Sequence, residues 1–82
     1  MKARIIVRLK QTVHDPQGEA IRQSFEHMGY DKFAAVRQGK VFDLELADMA
    51  RSEASALLQE VAHKALANPV IEEYVIELGD KS

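Results

Sequence analysis

Three histidines, His14, His27 and His63, are the side chains best suited to proton transfer or metal ligation near neutral pH. No two of them stand in an H-x-x-x-H relation, the spacing that puts two imidazoles on one helix face toward a metal. A solvated or partly packed histidine is the expectation for each. The carboxylate pair Glu72-Glu73 sits in a stretch that reads as a strand, so its members point to opposite faces and cannot share acid–base work. Ser24, Ser52, Ser55 and Ser82 lie in no G-x-S-x-G context that would raise a nucleophile on a sharp turn. The chain has no cysteine, and hence no thiolate nucleophile, thiolate metal ligand or disulfide. Neither G-x-G-x-x-G nor G-x-x-x-x-G-K-[ST] occurs, so no motif supports a nucleotide site. Gln38-Gly39-Lys40 sets a backbone amide and an ammonium where they could meet an anion, although a Gly-Lys pair is ordinarily just a turn. The residues taken one by one predict no catalytic residue, no metal ligand and no cofactor site on this chain.

Composition narrows the partners. The chain has 82 residues and a net charge of −2 with neutral histidines, which leaves no excess of cations to neutralise phosphates or an anionic membrane. The first strand-like stretch, Lys2 to Lys10, is broken by Arg4 and Arg8 and is too short to span a bilayer. It has no small-residue cleavage site, so a cytoplasmic chain without a leader is expected. One domain, residues 1–82, is what this length supports. So small a core gives marginal stability by itself, and in the absence of a disulfide, self-association is an expected source of further burial.

The elements that must position these residues read as follows. Ala3, Ile5, Val7 and Leu9 alternate with Lys2, Arg4, Arg8 and Lys10, the period of a strand, with Ile6 the apolar exception on the charged face. Asp15 is an N-cap candidate and Pro16 suits the first helical position; Glu19 favours the positive end of the dipole. A helix over about 16–28 is predicted, stopped by Gly29. A second strand is expected near Phe33–Gln38, a third over Lys40–Ala47, and a second helix over about Ser52–Ala67 capped by Ser52 and ended by Asn68-Pro69. Val70–Leu78 completes the pattern as a fourth strand, with Gly79–Ser82 a polar tail. The order β-α-β-β-α-β predicts an α+β, two-layer, ferredoxin-like fold: a four-stranded antiparallel sheet with two helices on one face.

In that topology the first strand lies between the third and fourth. Its Arg4, Arg8 and Lys10 would then be flanked by Asp43 and Glu45 on one side and by Glu73 and Glu77 on the other, which favours that order. The open face also carries Ile6, Val41, Ile71 and Val75, read as a candidate oligomer face. The same βαββαβ order occurs in RNA-binding domains that stack bases on aromatic side chains. The first strand offers none here, and RNA is not an expected partner.

Three segments take the reading further: Asp15-Pro16-Gln17-Gly18 at the entry to the first helix, Val36-Arg37-Gln38-Gly39-Lys40 at the middle of the chain, and Leu66 to Tyr74 joining the second helix to the last strand. In this order and chain length they resemble the PurS family, the small subunit of phosphoribosylformylglycinamidine (FGAM) synthase in purine biosynthesis. The resemblance implies a non-catalytic adaptor that bridges a glutaminase subunit, PurQ, and an ATP-dependent synthetase subunit, PurL. It also implies a dimer or tetramer, with ATP and magnesium used on the partner synthetase. It makes Asp15, Pro16, Gln17, Gly18, Arg37, Gly39, Lys40, Asn68 and Pro69 candidates for partner contact or for local structure. The alternative is a regulatory module of ACT type that binds a small molecule at a dimer interface. Such modules carry a glycine-rich turn after the first strand, whereas Gln11 to Asp15 contains no glycine.

Overall fold

The computed structural model describes residues 1–79. The elements are β1 (Lys2–Leu9), α1 (Pro16–His27), β2 (Gly39–Glu45), α2 (Arg51–Val61) with a π-helical extension Ala62–Leu66, and β3 (Glu72–Leu78). The fold is α+β, and the sheet has three antiparallel strands in the order β2-β1-β3. The sequence predicts four strands; the stretch Phe33–Gln38 is not one of them. Its expected neighbour is the strand now seen as β2, whose outer edge it leaves unpaired in the three-strand order. It runs back along α1 instead: the Phe33 ring lies 4.9 Å from that of Phe25, and the Val36 carbonyl lies against Gly18. The apolar run Phe33-Ala34-Ala35-Val36 thus serves a helix rather than a sheet.

The central placement of β1 follows from its charge pattern. In register, Arg4 faces Asp43 on β2 and Glu77 on β3, and Arg8 faces Glu73. Arg4 Nε donates to Asp43 Oδ1 at 2.9 Å, Arg8 Nε lies 3.5 Å from Glu73 Oε1, and Lys2 Nζ lies 4.0 Å from Glu45. These exposed pairs are screened by solvent and add little stability; their larger effect is to disfavour the register in which like charges would meet.

The core lies between the inner sheet face and α2. Ala3, Ile5 and Val7 are buried from β1, and Ala54, Leu58 and Ala62 from the second helix. Phe42, Leu44, Leu46, Tyr74, Ile76 and Leu78 pack around them. The helix starts at Arg51 behind Ala50, which offers no side-chain cap, so Ser52 is not the cap expected of it. Its start is held by Arg51 instead, whose guanidinium donates to the Leu78 and Gly79 carbonyls at 2.9 and 3.3 Å. At the far end the Ala67 N–H reaches Ala62 O, a π-type bond, before Asn68-Pro69 ends the helix.

α1 departs most from the two-layer expectation. It makes no substantial contact with any strand or with α2, and Gly18, at its root, is its one buried residue. With the return segment it forms an arm, residues 16–38. One helix, not two, covers the sheet. Along the arm Arg22 joins Glu19 and, at 3.0 Å, Glu26. The tip presents Met28, Tyr30 and Phe33, each at least half exposed. The molecule measures 49 × 29 × 14 Å, with a radius of gyration of 16.3 Å, against about 12 Å for a compact chain of this length.

Candidate functional site

The root of the arm is where the distant segments meet. β1 ends, and β2 and β3 begin, at one end of the sheet. All three segments singled out in the sequence converge there. Asp15 is the buried polar residue of this junction. Its two carboxylate oxygens are divided: Oδ1 accepts from Gly18 N at 2.9 Å, capping α1, and Oδ2 accepts from Gln38 N at 2.7 Å. The N–H of Gln38, helped by that of Gly18 and by the nearby Arg37 charge, holds the Asp15 carboxyl below its ordinary range in spite of burial. A carboxylate so committed is a poor base near neutrality; its work is to hold backbone.

Gly18 is fixed by proximity. A Cβ there would come within 2.1 Å of the Val36 carbonyl oxygen, so a side chain would push the return segment off the helix. Pro16 opens the helix where no N–H is needed. The Gln17 side-chain carbonyl accepts from Gln38 Nε2 at 2.9 Å. Arg37, exposed, donates through Nη2 to the carbonyls of Lys10 and Val13 at 2.9 and 2.8 Å, bracing the loop between β1 and α1. Gly39 sits where a Cβ would be 2.8 Å from Val7 O, and Lys40 is exposed on β2 beside it.

Asn68 and Pro69 belong to the neighbouring turn. Asn68 N donates to Glu72 Oε1 at 2.7 Å, Asn68 Oδ1 accepts from Val70 N at 3.2 Å, and Ile71 O accepts from Lys10 N at 2.9 Å, which ties this turn to the end of β1. A shallow cavity of about 180 Å³ lies between the segments, with Asp15, Gln17, Lys40 and Glu72 among its walls. Sequence reasoning missed Gln38 as the second partner of Asp15 and Glu72 as the cap of Asn68. The Asp-x-x-Gly spacing announces the local cap but carries no signal for a bond spanning 23 residues.

On the outer sheet face Ile6 stands directly opposite both Val41 and Val75, so three of the four candidate oligomer residues form one cross-strand row. Val41 and Val75 are exposed. Ile71 lies apart, before β3 begins.

The polar groups gathered at the junction satisfy backbone amides and carbonyls, while the apolar groups of the arm and the outer sheet face are left exposed. Together they define a small α+β protein with a braced junction and exposed apolar surfaces. A family model described as PurS, phosphoribosylformylglycinamidine (FGAM) synthase, matches residues 2–80. The chain belongs to the PurS family of FGAM synthase subunits. It is 38% identical over 79 residues to the FGAM synthase subunit PurS of Bacillus subtilis, covering 96% of this chain and 93% of that one. To the PurS subunit of Archaeoglobus fulgidus it is 37% identical over 76 residues, covering 93% and 95%. A solved structure of B. subtilis PurS superposes with a TM-score of 0.88 at 37% identity, covering 96% of this chain and 98% of that one. A chain of the PurLQS structure from Thermotoga maritima superposes with a TM-score of 0.84 at 29% identity, covering 93% of each.

Proposed function

We propose that residues 1–82 act as one PurS-type domain, the adaptor of an FGAM synthase, joining a PurL-type synthetase to a PurQ-type glutaminase without contributing reacting groups. The assembled enzyme converts formylglycinamide ribonucleotide, glutamine and ATP to formylglycinamidine ribonucleotide, glutamate, ADP and phosphate. ATP and magnesium act on the synthetase, and the setting is the cytoplasm. The observation that carries the reading is the convergence of three segments, far apart in sequence, at the root of one projecting arm. Ammonia released at one site and consumed at another is diluted if the sites separate; holding them together raises its effective concentration as a tether does. Asp15, Pro16, Gln17, Gly18 and Gly39 shape this end of the molecule, Asn68 and Pro69 set the adjoining turn, and Arg37 and Lys40 present charge to a partner. The B. subtilis and A. fulgidus relatives, named as PurS subunits, and the T. maritima PurLQS assembly support this reading.

Self-association belongs to the same proposal. A radius of gyration of 16.3 Å and a helix without a sheet to lie on suit a chain that is completed by a second copy. The row Val41–Ile6–Val75, with Ile71 apart from it before β3, supplies a further contact by which dimers could pair into a tetramer. The test is reconstitution: PurL- and PurQ-type subunits with and without this chain, scored by glutamine-dependent FGAM formation and by pull-down. Activity that requires the chain supports the adaptor role; full activity without it, or no association, overturns the role.

A further inference from the structure

We infer that the two bonds of the Asp15 carboxylate and the close seat of Gly18 on Val36 form a clasp that aims the arm, setting its direction relative to the sheet without being needed for the sheet to fold. α1 has 12 residues, about 18 Å of helix, and it touches neither the strands nor α2 to any extent. Within one chain its direction is therefore set at its root. There Asp15 Oδ1 holds the helix start at 2.9 Å, and Oδ2 holds the N–H of Gln38, the last residue before β2, at 2.7 Å. A rotation of about 10° at that root swings the tip by about 3 Å, enough to spoil a packed interface. Only a carboxylate offers two acceptor oxygens in this position: Asn keeps one, and Ser keeps the helix cap alone. The core residues Ile5 and Leu58 are buried and lie outside the walls of the junction cavity, while Val7 borders it.

The inference rests on the adaptor reading only for its consequence in assembly; the aim of the arm is measurable in this chain alone. The protein has no cysteine, so His27→Cys at the arm tip and Glu45→Cys on β2 give two clean spin-label sites. Pulsed dipolar spectroscopy, with labelled chain diluted in excess unlabelled chain, reads the distance within one molecule. A single narrow distribution is expected in the labelled parent. Asp15→Ser, which keeps the helix cap and loses the Gln38 bond, widens it, while a far-ultraviolet circular dichroism melt still shows a cooperative core. Gly18→Ala is the second variant: alanine is the better helix former, so a widened or shifted distribution there cannot come from a weaker helix.

Acid supplies a third readout. Arg37 on the return segment, Arg8 on β1, Lys40 on β2 and Glu72 at the start of β3 are the charged groups around Asp15. The parent distribution stays narrow through the ordinary aspartate range and widens only below it, whereas Asp15→Ser is wide at every pH. In complex formation, if the aimed pose falls to about a tenth of the population, the apparent dissociation constant for PurL- and PurQ-type partners rises about tenfold. A distribution that keeps both the width and the mean distance of the parent in either folded variant overturns the clasp, whatever the partners do. Failure of the parent chain itself to bind those partners overturns the adaptor reading and leaves the distance result standing.

Discussion

At the residue scale, side chains here are committed to backbone. Asp15 joins two amides, Arg37 joins two carbonyls, and Asn68 and Glu72 close a turn within themselves. Arg37→Lys keeps the charge but gives up the planar fork that reaches Lys10 and Val13; slower proteolysis at residues 10–14 in the parent than in the variant is expected. Arg37→Glu combined with Lys40→Glu is expected to fold with an unchanged dichroism spectrum and to lose partner binding in pull-down, because it reverses the charge beside Gly39 and severs that brace. Full assembly of the double variant would remove both residues from the interface. For Asp15 the sign of the pH effect follows from its lowered pKa. A carboxyl held below its unfolded value stabilises the folded chain fully above the ordinary aspartate pKa of 3.8 and loses that contribution as pH falls through the lower folded value. In an acid titration the parent should therefore lose stability at a pH where Asp15→Ser shows no matching step.

At the element scale, the sheet with α2 and the arm behave as two parts. Leu58 is 2% exposed against Ile5 and Val7, which are fully buried. Leu58→Ala should cost about 2–5 kcal/mol in a denaturant melt, the range for a truncated core leucine. In so small a domain that is enough to unfold much of the population. Phe33→Ala on the arm removes the stack against Phe25 but no contact with the sheet; it should leave the core melt nearly unmoved while raising amide exchange along α1. Equal destabilisation by the two substitutions would mean that the arm and the sheet fold as one unit. The stretch 33–38 shows how an element is decided. Its apolar run Phe33 to Val36 suits a strand, yet a strand exists only where it pairs with an edge. The outer edge of β2 stays open, and the contacts of Phe33 with Phe25 and of Val36 with Gly18 make the stretch the return limb of the arm.

For the whole molecule, the extended shape and the exposed row Val41–Ile6–Val75 predict association. Light scattering at micromolar concentration should give a dimer or a tetramer. Val41→Glu with Val75→Glu, two like charges flanking Ile6, should reduce a tetramer to a dimer or weaken association without altering the monomer fold. A monomeric parent protein would sink the oligomer reading, and an unchanged assembly in the double variant would move the contact to the arm.

The amino-acid sequence by itself determined what depends on near neighbours and on charge pattern. The period of β1, the Asp15–Pro16 helix start, the stop at Asn68-Pro69 and the central position of the basic strand between two acidic ones were all legible, because each is a local or pairwise preference. The three segments of the junction were legible as places of interest. Long-range partners are settled only in the folded chain: residues 33–38 lie against α1 rather than on the open edge of β2, α1 covers no sheet, the second helix starts at Arg51 where its guanidinium meets the end of β3, and Gln38, 23 residues away, is the second partner of Asp15. Each of these turns on competition for a limited set of backbone donors, acceptors and sheet edges, and no stretch of sequence records the outcome of that competition.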